Sequence, residues 1–185
     1  MKKIAIIYHS GFGHTAYFAK QVAEGAAGTK KVQVDLFTTD EATAKIDQLA
    51  EYDGQIWGSP TYMGNVSGPF KTFMDVTGKI WMTHGWRNKW AAGFTVSGSP
   101  SGDKQSTLMS MTILAAQHGM YWMSLGMPNE TYTGVKESEA VNRLGSSLGA
   151  MAQAGQVAPD QAFVPGDLKT ARLFGARFAE TVATK

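Results

Sequence analysis

The chain has 185 residues, 43% hydrophobic and 17% charged, which is enough for one domain with a sizeable core and too apolar for a disordered segment. Its formal net charge is +2 with no long run of like charges, so it lacks the electrostatic footprint of a nucleic-acid binder. It contains no cysteine, which excludes thiol catalysis, disulfides and cysteine-ligated metals.

The opening MKKIAIIYHS begins like a signal peptide, but its apolar run is too short and leads straight into glycines. No stretch approaches the ~18 apolar residues of a membrane span, so the expectation is a cytoplasmic protein without one. Residues 3–8, β-branched and aromatic, predict a buried strand. Residues 14–27 carry Phe18, Val22 and Ala26 at helical spacing. In KVQVDLF, Val32, Val34 and Leu36 alternate with Gln33 and Asp35, as on an edge strand with one solvated face. A short polar helix is expected over 41–50. GQIWGSP, 54–60, is the third strand, and Pro69 suits the first turn of the helix FKTFMDVTG. KWAAGFTVSGS gives the fourth strand. Ser101 or Asp103 then caps a long helix running to Gln117, which Gly119 ends. MYWMSL is the fifth strand. Gly166-Asp167 opens a final helix with the apolar stripe Ala171, Phe174, Phe178 and Val182.

Strands alternating with helices predict a doubly wound parallel sheet in the order 2-1-3-4-5, with helices on both faces. The whole chain, 1–185, reads as one domain. Residues 127–166 do not fit compactly, and a connection that long is usually functional or ordered by a partner. Within it, RLGSSLGAMAQ is expected to add a helical turn or two.

In an open parallel sheet, ligands bind at the carboxyl ends of the strands. Strands one, three and four all end in unusual loops: HSGFGHT (9–15), SPTYMGN (59–65) and SGSPSGD (97–103). The first fits two chemistries. Read from Gly11 to Ala16 it is G-x-G-x-x-A, a dinucleotide fingerprint, with Asp35 about twenty residues on. Yet Ser10 and Thr15 add hydroxyl donors to main-chain N–H groups at a helix start, which suits a dianionic monophosphate. Asp35 falls inside its strand and reads as a solvated edge residue. A tight strand-to-helix turn using glycine and a cap is the plainer alternative. The second loop offers Tyr62 and the main-chain N–H groups from Thr61 to Asn65 to a flat heterocycle. The third offers hydroxyls and N–H groups at another helix start. Each loop alone is an ordinary turn; three at neighbouring strand ends are harder to explain that way. His9, His14 and His84 show no metal-ligand spacing with the carboxylates, so no metal is expected.

IIYHSGFGHTAYFAKQV, with two aliphatics, an aromatic and a hydroxyl residue before Gly13, Thr15, Ala19 and Val22, resembles the flavodoxin-like phosphate signature. GSPTYMGNVSGPFKTFMDVTGKIW, VSGSPSGDKQSTL and AAQHGM are similar, in the same order, to the WrbA type of NAD(P)H:quinone oxidoreductase. The resemblance covers most of residues 3–126. It implies FMN, with its phosphate at Ser10, Gly11, Phe12, Gly13, His14 and Thr15. It places Pro60, Thr61, Tyr62, Met63, Gly64 and Asn65 beside the ring edge, and Ser97, Gly98, Ser99 and Gly102 along the other side. His118 matches a histidine near the flavin, and Trp81 a tryptophan that a neighbouring subunit sets over the site; such enzymes are often tetramers, and a homo-tetramer or homodimer is expected. The family's loop commonly reads Pro-Thr-Arg-Phe-Gly where this chain has Pro-Thr-Tyr-Met-Gly, so no nicotinamide preference carries over. Beyond about residue 127 the similarity thins.

The implied activity is two-electron transfer from NADH or NADPH to a quinone in a ping-pong cycle, the flavin carrying the chemistry. His118 also reads as a helix C-terminal histidine favoured by the dipole, and Trp81 and Trp86 as packing aromatics. A flavodoxin-type electron carrier and an FMN-binding module without turnover are the other readings. The sequence pI of about 8.8 departs from the acidic surface by which a carrier docks to basic partners.

Overall fold

The computed structural model describes residues 1–184. In chain order, β1 (Lys2–Tyr8) leads into α1 (His14–Gly28), β2 (Val32–Thr38), α2 (Thr39–Ala44) and a 3-10 turn at Ile46–Glu51. β3 (Gly54–Tyr62), β4 (Asn65–Val66), α3 (Gly68–Val76) and α4 (Gly78–Met82) follow, then β5 (Trp90–Ser97) and α5 (Lys104–Gln117). β6 (Tyr121–Trp122), 3-10 turns at Glu130–Thr133 and Glu137–Glu139, β7 (Ala150–Gln153) and α6 (Pro165–Ala183) complete it.

The sheet runs β2-β1-β3-β5-β6, all neighbours parallel. This is the expected doubly wound order, with β5 as the fourth strand. Side-chain alternation along the central strands feeds two cores. Ile4, Ile6, Ile56 and Phe94 pack with Phe18, Val22, Phe174 and Phe178 of α1 and α6. Ala5, Ile7 and Trp57 pack on the other face with Leu49, Phe70, Phe73, Leu108 and Met111. Because both faces are covered, β1 is buried from Ile4 to Ile7 without alternation. β2, at the edge, keeps Gln33 exposed.

Three expectations are corrected. The fifth strand is split: Tyr121–Trp122 pairs with the start of β5 at Trp90–Ala91, and Ala150–Gln153 pairs with its end at Phe94–Ser97. The chain leaves the sheet between them and returns where Gly149 lies against the Gly93 carbonyl, too close for any Cβ. Second, RLGSSLGAMAQ forms no helix. Asn142 ties it into a turn by accepting from Ser146 N (2.8 Å) and donating to the Met127 and Ser146 carbonyls, and β7 follows. Third, Asp103 holds the N-cap position of α5 with a left-handed backbone, φ 53°, and makes no side-chain cap bond. Gly119, φ +67°, does end that helix.

Candidate functional site

β1, β3 and β5 end side by side, and their loops enclose a cleft of about 420 Å³. Of the residues singled out in the sequence, Ser10, Phe12, His14, Thr15, Pro60, Tyr62, Ser97 and Gly98 line it. Gly11 and Gly13 complete the first loop between them. Gly13 caps α1 at φ 87° and a Cβ there would meet Pro159 at 2.8 Å, so both its backbone and its neighbour require glycine. α1 has no acidic residue in its first turn, so no side-chain charge answers the positive end of its dipole. Ser10 Oγ is buried without a hydrogen-bond partner. A phosphate oxygen would satisfy that hydroxyl and the free first-turn N–H groups together, so these residues fit the monophosphate end of FMN. Asp35 takes no part in the cleft: it lies three residues before the end of β2 and accepts from Tyr52 Oη at 2.8 Å and Gln33 Nε2 at 3.1 Å.

The second loop is held from behind. Ser67 N donates to Ser59 Oγ (3.0 Å), and Ser67 Oγ is 2.8 Å from His9 Nδ1, whose ring burial holds below its usual pKa against the pull of Asp40. Thr61 turns inward, its hydroxyl 2.8 Å from those of both Thr95 and Thr107. Tyr62 reaches back across the cleft until its hydroxyl lies against Gly11, and its ring meets Phe12 edge-on at 6.5 Å. Burial raises its pKa. Met63 (φ 47°) and Gly64 (φ 77°) form the tip of a β3–β4 hairpin, with Met63 fully exposed. Asn65 faces away from the cleft, its Oδ1 accepting from Ser110 Oγ at 2.7 Å. In the third loop Gly102 (φ +53°) folds onto Ser97, and the Ser99 carbonyl accepts from Lys104 Nζ at 2.6 Å.

The fourth wall, Ala154, Gly155, Gln156 and Val157, is missing from the sequence reading. It follows directly on β7, which sets it beside Ser97–Gly98, and His14 Nε2 donates to the Val157 carbonyl at 2.8 Å. The signal for it was the length of segment 127–166.

His118 and Trp81 do not join this cleft within one chain. The Gly119 carbonyl accepts from Asn88 N, and Tyr121 N donates to Lys89 O, so the end of α5 is level with the start of β5. The cleft is at the other end of that strand, about 20 Å away at ~3.3 Å per residue. The two share a shallow depression with Thr77 and Gln117. Trp81 is half-exposed; His118 is buried, with Nε2 2.9 Å from Thr77 Oγ1, and burial pushes its pKa down to about 4. Among the described residues no group of three or more His, Asp or Glu is placed to hold a metal ion, and no helix is long and apolar enough to cross a membrane.

An α/β sheet in this order, with an anion loop on its first strand and flat-walled loops on its third and fourth, is a flavodoxin-like fold. A family model described as NADPH-dependent FMN reductase matches residues 3–129, and the chain belongs to that family of flavodoxin-like, FMN-binding oxidoreductases. Flavodoxin FldP of Pseudomonas aeruginosa is 40% identical over 179 residues, covering 97% of this chain and 96% of its own. An NAD(P)H dehydrogenase (quinone) of Archaeoglobus fulgidus is 33% identical, with 97% of each chain covered. The crystal structure of a flavodoxin, WrbA-like protein from Agrobacterium tumefaciens superposes with a TM-score of 0.77 at 36% identity, covering 100% of this chain and 99% of that one.

Proposed function

We propose that the cleft holds FMN with its phosphate in the Ser10–Thr15 loop, and that the protein is a cytoplasmic NAD(P)H:quinone oxidoreductase of one domain. The unpartnered, buried Ser10 hydroxyl, ahead of a helix with no acidic residue in its first turn, carries the cofactor reading. When bound, FMN supplies a ring that accepts hydride from NADH or NADPH and delivers two electrons to a quinone. The chain's own task is to hold and expose that ring. Pro60 and Tyr62 wall it on one side, and Ser97 and Gly98 on the other. Phe12, largely exposed, and Tyr62 rim the mouth as aromatic surfaces for a flat second substrate. Donor and acceptor use the same mouth in turn, which is the geometry of a ping-pong cycle.

Trp81 and His118, remote from the cleft of their own chain, act in this reading at the cleft of a neighbouring copy in a homo-tetramer or homodimer. Exposed Trp81 and Met82 are available for that contact. The second reading, an electron carrier, draws on the 40% identical relative named a flavodoxin. Initial rates separate the two. The FMN-loaded protein is expected to oxidise NADH or NADPH with benzoquinone and to give parallel double-reciprocal lines. Bound FMN without turnover favours the carrier.

A further inference from the structure

Lys104 is the first residue of α5, and its side chain is completely buried. Two effects oppose a cation there. Burial strips its water, and the helix N-terminus already carries positive partial charge. What retains it is a full set of acceptors, one for each ammonium hydrogen. Nζ donates to Ser97 Oγ at 2.9 Å, to the Ser99 carbonyl at 2.6 Å and to the Pro100 carbonyl at 2.9 Å. All three belong to the loop that ends β5 and forms the third wall of the cleft. The Gly98 carbonyl of the same loop accepts from Gln153 Nε2 at 3.1 Å. Gln153 is itself fixed, donating through its backbone N–H to Asp167 (3.1 Å) and accepting from Arg143 Nη2 (3.3 Å).

These bonds decide where the loop sits. Lys104 draws the Ser99 and Pro100 carbonyls inward, and Gln153 separately fixes the Gly98 carbonyl beside them. The Ser97 hydroxyl hydrogen is already used on the Ser99 carbonyl at 3.2 Å. Ser97, bonded through its hydroxyl to both Lys104 and the Ser99 carbonyl, is thereby locked in the cleft wall.

We propose that Lys104 is the positioning residue of this wall: its buried ammonium gathers the Ser97 hydroxyl and the Ser99 and Pro100 carbonyls and so fixes the Ser97–Gly98 face against the flat ring held in the cleft. The proposal rests on the FMN reading of that cleft. It predicts a pH dependence. The charged groups facing Lys104 are Asp167 of α6 and Arg143, with Glu137 pairing the outer side of Arg143 at 3.1 Å. Burial lowers Lys104 to about 8, with Asp167 opposing and Arg143 adding to the shift. Above that pH the amine has lost one of its three donors and the loop loosens, so flavin affinity falls. Folding stability moves the other way. Between about 8 and the unfolded value of 10.5 the unfolded chain binds more protons, so this lysine's contribution rises with pH.

FMN titrations at pH 7 and pH 9, followed by quenching of flavin fluorescence, test this on wild type, Lys104→Met and Lys104→Arg. Wild type is expected to bind about tenfold more weakly at pH 9. Lys104→Met, of similar length but without donors, is expected to bind about tenfold more weakly at pH 7, to show no pH step, and to melt no lower than wild type without FMN. Lys104→Arg restores affinity in part and keeps it at pH 9. A Lys104→Met protein that matches wild type in affinity and in pH step overturns the proposal. If that variant does not fold, a flat wild-type profile between pH 7 and 9 overturns it equally. A wild type that binds no FMN at either pH overturns the cofactor reading itself, and the proposal with it.

Discussion

Ser10 and His118 each hold a buried side-chain atom without a partner, and they call for opposite accounts. Ser10 belongs to the lining of the cleft. Removing its Oγ costs the free protein nothing, because the hydroxyl has no partner to lose, but removes a bond to a charged ligand worth about 1.5–3 kcal/mol. Ser10→Ala is therefore expected to keep the melting temperature of the FMN-free protein and to weaken FMN binding roughly 10–100-fold in a fluorescence titration. His118 is bonded within its own chain instead, in the depression it shares with Trp81. The Thr77 hydroxyl gives its hydrogen to the Met74 carbonyl at 2.7 Å, so it accepts from His118, whose hydrogen is then on Nε2. Nδ1 is left bare beside Trp86, the ring centroids 4.5 Å apart, with Trp86 Nε1 also unpartnered. A proton on Nδ1 would be buried and unsolvated, hence the pKa near 4. The sign follows. With the folded value below the unfolded 6.5, the histidine's contribution is complete above about 6.5 and is lost as pH falls toward 4. Urea unfolding at pH 7 and pH 5 is expected to show that loss in wild type and a smaller one in His118→Gln. A helix C-terminus favours a charged histidine, which is what the sequence offered. Desolvation by Trp86, thirty-two residues away, was not visible there.

At the scale of elements, what was legible is what local periodicity encodes. β1, β3 and β5 read correctly because long β-branched and aromatic runs bounded by glycine leave little choice. β7 did not, because AMAQ is short and rich in good helix formers, and only its pairing with Phe94–Ser97 makes it a strand. The β3–β4 hairpin was read as loop. Its two-residue turn uses Met63 where asparagine or glycine is the usual signal. The cleft shows the same division: eight of the residues singled out on the three strand-end loops line it, whereas the wall at 154–157 depends on β7 and was missed. The α1–α6 pair is a further long-range feature. At Gly175 a Cβ would lie 1.9 Å from the Val22 carbonyl, and at Gly25 1.9 Å from the Arg172 carbonyl. The two backbones approach where any side chain would drive them apart. Gly175→Ala is expected to cost about 3 kcal/mol, read as a lower urea midpoint at unchanged slope.

For the whole molecule, a parallel sheet covered on both faces leaves its strand ends as the place for a cleft, and three of those ends converge on one. Family membership gives the class of chemistry; the cleft's donors and open aromatic mouth give the reading of what enters it. The central claim is that this cleft takes FMN and that a nicotinamide reaches the bound ring. The most direct measurement is an anaerobic visible spectrum of the FMN-loaded protein after one equivalent of NADH or NADPH. Loss of the flavin band with at least one of them, and its return on adding benzoquinone, is the predicted result. A bound flavin that neither nicotinamide bleaches would contradict the reductase account, and the same protein failing to retain FMN would contradict the account of the cleft.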